Sequence, residues 1–286
     1  MSVTVSNVSV TVDSGKKLLH EVTFTARKGE VTGLIGPNGA GKSTLLAAIS
    51  GDLAYTGSIT VDGVETAQTS PSELARRRAV MLQDVSVAFS FLVRDVVAMG
   101  RGPWVPSPDD DALIDAALGA TDVSHLAHRD VMTLSGGERA RVALSRVVAQ
   151  TTPVILLDEP TAAMDIRHSE RALGLARYLA QSGAAVIAVL HDLNAAASYC
   201  DQVVCLSHGS VAATGSVSEV FTEENLSAVY EWPISVYHIS DRTIVAPQGG
   251  DGASTTPNVS LLAWQNQPAA RDTAAPTPSP SRESVD

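Results

Sequence analysis

The stretch GPNGAGKST at 36–44 sets Gly36, Gly41, Lys42 and Ser43 at the spacing G-x-x-x-x-G-K-[ST]. That pattern suits the holding of a phosphate chain. Glycines let successive backbone N–H groups turn inward, and the helix that follows adds partial positive charge at its start. The lysine reaches the β and γ oxygens, and the Ser43 hydroxyl is placed to ligate Mg2+. The whole loop, Gly36, Pro37, Asn38, Gly39, Ala40, Gly41, Lys42, Ser43 and Thr44, is read as a nucleotide-phosphate site. VILLDEP at 154–160 is its counterpart. Asp158 ends an apolar strand and can reach the Mg2+ shell, and Glu159 follows at once. Adjacent carboxylates at a strand end can divide their work, one on the metal and one on an attacking water. His191 ends the apolar run AAVIAVLHD and should meet Glu159 where parallel strands bring their ends to one edge. Gln83 closes VMLQD at a further strand end, where a glutamine either ligates Mg2+ or senses the γ-phosphate.

A second stretch, TLSGGERARVALSR at 133–146, also looks able to hold a phosphate. Leu134, Ser135, Gly136, Gly137 and Glu138 open a helical run, and a helix start rich in free N–H groups attracts anions. One nucleotide on one chain does not need both stretches.

The elements that position these residues alternate. Residues 3–12 and 20–26 read as strands with a turn at 15–18, and 30–36 as a buried strand entering the glycine loop. Residues 42–51 form the helix after it, and 57–65 a hairpin around Asp62-Gly63. The stretch 93–149 is mostly helical, broken by GRGPWVPSPDDD. Apolar strands at 153–160, 184–192 and 202–209 are separated by helices at 166–181 and 194–200, and 209–215 is a hairpin arm. Such alternation predicts an α/β fold on a parallel sheet.

The net charge of −11 argues against a nucleic-acid reader, and leaves a locally built phosphate site unaffected. Two cysteines, Cys200 and Cys205, make no disulfide framework and read as small buried apolar residues. No apolar run is long enough to span a membrane, and the alternating N-terminus is not a signal peptide. The chain therefore reads as soluble and cytosolic, acting on a membrane, if at all, from its surface. Residues 247–286 are rich in Pro, Ser, Thr, Ala and Gln and are expected to be disordered, with VSLLAW at 259–264 as a short apolar exception. The domain expected to fold is 1–246, with a helical subdomain at about 84–150.

Taken together, these residues resemble the ATP-binding subunits of ABC transporters. The likeness runs over about residues 1–240, in the order phosphate loop, Gln83 (Q-loop), LSGGE signature at 134–138, VILLDEP, the D-loop with Asp165, and His191 (H-loop). It implies a P-loop ABC ATPase core with an antiparallel β subdomain and a helical signature subdomain. It implies ATP and Mg2+, with Ser43, Gln83 and Asp158 on the metal and Glu159 and His191 catalytic. It also implies a head-to-tail homodimer, in which Ser135, Gly136 and Gly137 face the γ-phosphate of the partner chain's nucleotide. Two copies of a membrane permease at the cytoplasmic face, served by a substrate-binding protein, complete the expected assembly. Residues 76–104 and the runs around 134–150, 157–180 and 189–230 resemble the subfamily importing iron chelates, haem and cobalamin, most of all its haem branch. Ferric siderophores and cobalamin remain alternative cargoes, and a soluble non-transport ABC ATPase is the reading from another class. The short interval between Lys42 and Ser135 argues against the last, because it has no room for a long coiled coil. No haem-ligand constellation is visible, so the cargo is not expected to touch this chain.

Two departures from the family stand out. The first strand has Val10 and Val12 where an aromatic usually stacks on adenine, and Met164 replaces the commoner leucine in the D-loop. Phe89, Phe91 and Trp104 are candidate contacts for the permease or ordinary core. The Arg76–Arg78 run reads as a solvated helix face.

Overall fold

The computed structural model describes residues 3–12, 14–82, 90–240 and 242–249. Its centre is a six-stranded sheet whose buried strands alternate strictly between faces. The chain begins with β1 (Val3–Thr11), β2 (Lys17–Ala26), β3 (Val31–Ile35) and helix α1 (Lys42–Ser50). Strands β4 (Thr56–Val61) and β5 (Val64–Glu65), helix α2 (Pro71–Arg77) and strand β6 (Arg78–Met81) follow. Helices α3 (Val93–Ala98), α4 (Asp110–Ala120) and α5 (Gly136–Gln150) lead back to β7 (Val154–Asp158). Then come α6 (Ile166–Gln181), β8 (Ala185–Val189), α7 (Leu193–Tyr199), β9 (Gln202–Ser207) and β10 (Ser210–Ser216). The last elements are α8 (Val217–Val220), α9 (Glu223–Tyr230), β11 (Ile234–Ile239) and β12 (Arg242–Pro247).

The large sheet runs β10-β9-β3-β8-β7-β6, parallel except for β10 at its edge. In β7, Ile155 and Leu157 face a core shared with α5, α6 and α9, where Leu144, Leu173 and Leu226 are buried. Val154 and Leu156 face the opposite core, with Leu45 and Ile49 of α1 and the valines of β1. Helix α1 is thus packed between the parallel sheet and the antiparallel sheet β2-β1-β4-β5. Truncating a fully buried leucine such as Leu156 should cost about 2–5 kcal/mol. A third cluster, with Val93, Val97, Leu118 and Val142, holds α3, α4 and α5 together.

Several expectations hold, and others need amending. Asp62 and Gly63 take φ values of 47° and 86°, as a two-residue hairpin turn of this hand requires. β2 starts at Lys17, earlier than the turn residues suggested, because it pairs along β1 as far as Thr11. The β11–β12 hairpin was not foreseen. The Arg76–Arg78 run is a solvated face only in part: Arg76 is exposed on α2, whereas Arg77 and Arg78 are half-buried. Arg78 lies in β6 and donates Nε to the Ser50 carbonyl at 2.5 Å, and burial lowers its pKa. Arg77 pairs with Glu73 and Asp62, and Arg76 donates to the Pro103 carbonyl. These ties fasten α2 and β6 to three neighbouring segments. Cys200 and Cys205 are free and buried, and burial pushes their thiols up to about 12 and about 11. One compact unit takes in the chain up to Gln248. The expectations for residues 250–286, VSLLAW included, fall outside the described residues. No helix among the described residues is long and apolar enough to cross a membrane.

Candidate active site

In the parallel sheet β8 lies between β3 and β7, so three strand ends meet at one edge. The phosphate loop follows β3, Asp158 ends β7, and His191 comes just after β8. The Asp158–Val189 and Leu34–Val189 registers level the ends. A cavity of about 340 Å3 opens there, lined by Asn38, Gly39, Gly41, Lys42, Ser43 and Thr44 of the loop, together with Glu159 and His191.

The loop's shape follows from its glycines. Gly36 takes φ 138°, and a Cβ there would lie 2.1 Å from the Leu206 carbonyl oxygen, so no side chain fits. Lys42 is buried and donates Nζ to the carbonyls of Gly36 and Pro37 at 2.7 and 3.0 Å. Burial lowers its pKa, against the raising effect of Glu159 and Asp158. The Ser43 hydroxyl donates to Asp158 Oδ1 at 3.3 Å. Burial raises the Asp158 pKa, and the nearby Glu159 adds to this, while the Ser43 hydrogen bond and Lys42 oppose it. A buried carboxylate beside a hydroxyl is a hard-oxygen donor set that suits Mg2+, whose charge would relieve the cost of ionising Asp158.

Glu159 stands just past β7 with φ 49°, a left-handed backbone that costs a non-glycine residue about 1–3 kcal/mol. That turn puts its Oε1 2.5 Å from His191 Nε2. The pair expected from parallel strand ends is therefore present. Both residues also line a second cavity of about 340 Å3, with Met164, Ile166 and Ser169 in its wall. Gln83 and Phe89 lie outside the described residues.

The signature stretch is elsewhere. None of residues 134–138 is among the described residues lining the phosphate cavity. Ser135 caps α5. Its hydroxyl accepts the Glu138 N–H at 3.3 Å, and Glu138 Oε2 accepts the Ser135 N–H at 2.7 Å. These Ser135 hydrogen bonds hold the Glu138 carboxyl below the usual carboxylate range. The S-x-x-E spacing signals this capping box directly, a role for Glu138 that the phosphate reading overlooked. Gly137 packs on the D-loop of the same chain, where a Cβ would sit 2.8 Å from the Ala163 carbonyl oxygen. Asp165 caps α6, accepting both the backbone N–H and the ring Nδ1 of His168 at 2.9 and 2.8 Å.

A match to the family model described as ABC transporter spans residues 19–162. The chain is 53% identical to the hemin import ATP-binding protein HmuV of Nocardia farcinica, over 77% of this chain and 78% of that protein. This chain belongs to the ABC transporter family. Its activity is accordingly ATP hydrolysis coupled to transport. HmuV of Rhodococcus jostii is 49% identical over 82% of each chain, and a cobalamin import ATP-binding protein, BtuD, of Halobacterium salinarum is 41% identical over 87% of this chain and 68% of that protein. Among solved structures, an inward-facing transporter of metal-chelate type superposes with a TM-score of 0.73 at 26% identity, covering 87% of this chain and 98% of that chain. The structure of cbiO1 from Clostridium perfringens, part of the ABC transporter complex cbiONQ, gives 0.69 at 28%, covering 79% and 92%. The α/β ABC ATPase fold is thus established.

Against this family frame, several residues read differently from the sequence expectation. Val10 is fully buried and pairs with Leu19, so it points into the core and away from any nucleotide. Val12 is half-buried beyond the end of β1 and is not among the described residues lining the phosphate cavity. Lys16 and Leu18 line the phosphate cavity and were missed, because a lysine in a surface turn carries no motif. The Trp104 indole donates to the Gln150 carbonyl at 2.7 Å and lies under the Arg101 guanidinium, which makes it an internal strut. Phe91 is partly exposed. Tyr230 was also missed; its hydroxyl accepts the Gly36 N–H at 3.0 Å.

Proposed function

We propose that this chain is the ATP-hydrolysing subunit of a haem importer, working as a homodimer on two permease copies at the cytoplasmic face of the membrane. The single observation behind the hydrolytic assignment is the Glu159–His191 contact at the rim of the phosphate cavity. Backbone N–H groups of the loop and Lys42 bind the phosphates of ATP. Ser43 and Asp158 would hold Mg2+, with Gln83 as a further ligand, and the ion would neutralise phosphate charge. Glu159 orients a water on the γ-phosphate and takes up its proton, and His191 fixes the Glu159 carboxylate and bonds to the γ-phosphate oxygens. Phosphoryl transfer needs little beyond such positioning and charge stabilisation.

Each site takes its far wall from the partner. The N–H groups of Gly136 and Gly137 and the Ser135 hydroxyl close on the γ-phosphate bound to the other chain, because within their own chain they lie off the phosphate cavity. The D-loop with Asp165 lies at the same dimer face. A substrate-binding protein delivers the cargo, and no nucleic acid is involved.

Haem is favoured as cargo because the relatives of 49–53% identity are hemin import proteins, whereas the cobalamin import relative stands at 41%. A source strain deleted for this gene should fail to grow on haem as sole iron source. Plasmid-borne wild type should restore growth, and Glu159→Gln should not. Normal growth of the deletion strain on haem, with loss of cobalamin or siderophore use, would reassign the cargo.

A further inference from the structure

Residues 223–247 lie outside every motif, yet they touch the site at two points. The first is the phosphate loop. Tyr230, the last residue of α9, accepts the Gly36 N–H, so that donor is engaged below the loop and is withheld from a phosphate. The hydroxyl is largely buried, and burial with Cys205 nearby pushes it up to about 12, so it stays neutral. Contact with the Leu206 carbonyl confines Gly36 as well. The start of the loop is therefore held by groups outside it.

The second point is helix α7, which begins just after His191 and is capped by Asp192 through the N–H groups of Asn194 and Ala195 at 2.8 and 3.2 Å. The Asn194 amide pairs with the main chain of Val245 in β12. It donates Nδ2 to the carbonyl at 3.1 Å and accepts the N–H at Oδ1 at 2.8 Å. A side chain thus completes a strand-like pair and fixes the first turn of α7 against the hairpin. The hairpin is in turn fastened to α9. Val236 N–H donates to Glu223 Oε1 at 3.0 Å, and Ile234 N–H donates to Ser227 Oγ at 2.9 Å.

We infer that residues 223–247 are a clip joining the phosphate loop to the strand end that carries His191, with Tyr230 in the clip and Asn194 of α7, which grips it at Val245, as positioning residues. Tyr230 presets the loop for ATP, and Asn194 holds α7 so that His191 meets Glu159. The inference rests on the proposed ATPase function. The two contacts should separate in kinetics. Losing the Tyr230 hydroxyl lets the empty loop relax, so binding must first rebuild it, while the bound enzyme turns over normally. Loosening α7 leaves the loop intact and disturbs only the catalytic pair.

The test uses the full chain. Tyr230→Phe should raise the Kd and KM for ATP about 3- to 10-fold with kcat nearly unchanged. Asn194→Ala should lower kcat by about 10-fold with Kd for ATP unchanged. Asn194→Asp keeps the acceptor for the Val245 N–H and should recover part of that kcat. If both variants merely melt earlier, and bind and turn over like wild type when folded, the segment is packing only and the inference fails. Lys42→Ala, run alongside, should lose ATP binding. Retained binding there would overturn the proposed function, whereas wild-type behaviour of Tyr230→Phe beside an inactive Lys42→Ala overturns the clip alone.

Discussion

The sheet edge at β3, β7 and β8 and the start of α5 both present N–H groups of the kind that bind phosphate, yet they differ in completeness. The edge has a cavity, a buried lysine, a hydroxyl–carboxylate pair and a Glu–His contact within one chain. At the α5 start the Ser135 hydroxyl also meets a carboxylate, at 2.8 Å, but it belongs to the capping Glu138, and none of residues 134–138 is among the described residues lining the phosphate cavity. The second glycine there, Gly137, lies against the Ala163 carbonyl. On the proposed function, the first region is a binding site that takes its far wall from a partner, and the second is the wall it offers in return.

The largest effect expected from breaking the comparison falls at the edge. Glu159→Gln should slow ATP turnover by about 10²–10⁴-fold while MgATP still binds, the usual contribution of a positioned acid–base group. Steady-state turnover beside equilibrium binding checks this. Turnover within a few-fold of wild type would remove Glu159 from the mechanism.

At the α5 start the expected change is smaller and of another kind. Glu138→Ala removes half of the capping box and should destabilise the chain by about 0.3–1.5 kcal/mol in denaturant unfolding. ATP binding to the single chain should be unchanged, because Glu138 does not line that chain's phosphate cavity. A loss of single-chain affinity would place the signature on its own nucleotide.

The smallest effect comes from Asp158. Its pKa is raised in the fold, so ionisation is penalised there and not in the unfolded chain. Below the unfolded value Asp158 is neutral in both states and the penalty is absent. As pH rises to the folded value the penalty grows, and above it the penalty is complete. Asp158→Asn should therefore stabilise the nucleotide- and metal-free protein at neutral pH, seen as a higher Tm. The gain should shrink as pH falls through the carboxylate range. A lower Tm at neutral pH would show that the ionised carboxylate is stabilising.

The two regions were also unequally legible in the sequence. The edge could be read because its chemistry is local: the loop spacing, a strand ending in Asp-Glu and a strand ending before His191 each lie in a few consecutive residues. The alternating pattern of β3, β7 and β8 then required a shared edge. At the α5 start the sequence showed a helix opening, and only the structure shows Gly137 lying on Ala163. Tyr230 could not be read at all, since its bond to Gly36 spans most of the chain and depends on how α9 packs. Arg77 and Arg78 were misread for a related reason: charge suggests solvent, but Arg77 reaches the Asp62 carboxylate and Arg78 the Ser50 carbonyl, both distant in sequence.

The shared-site claim is tested most directly by mixing two defective chains. Lys42→Ala disables the phosphate loop and leaves the signature, and Ser135→Arg does the reverse by placing a bulky cation where the partner's γ-phosphate needs N–H groups. In a Glu159→Gln background, which retains ATP, each mutant alone has only defective sites. A mixed dimer has one site with both defects and one with neither. The account predicts an ATP-dependent heterodimer on size-exclusion chromatography when the two are mixed, and none from either alone. If both chains are folded by circular dichroism and mixing recovers no ATP-dependent heterodimer, each chain uses its own signature and the account is wrong.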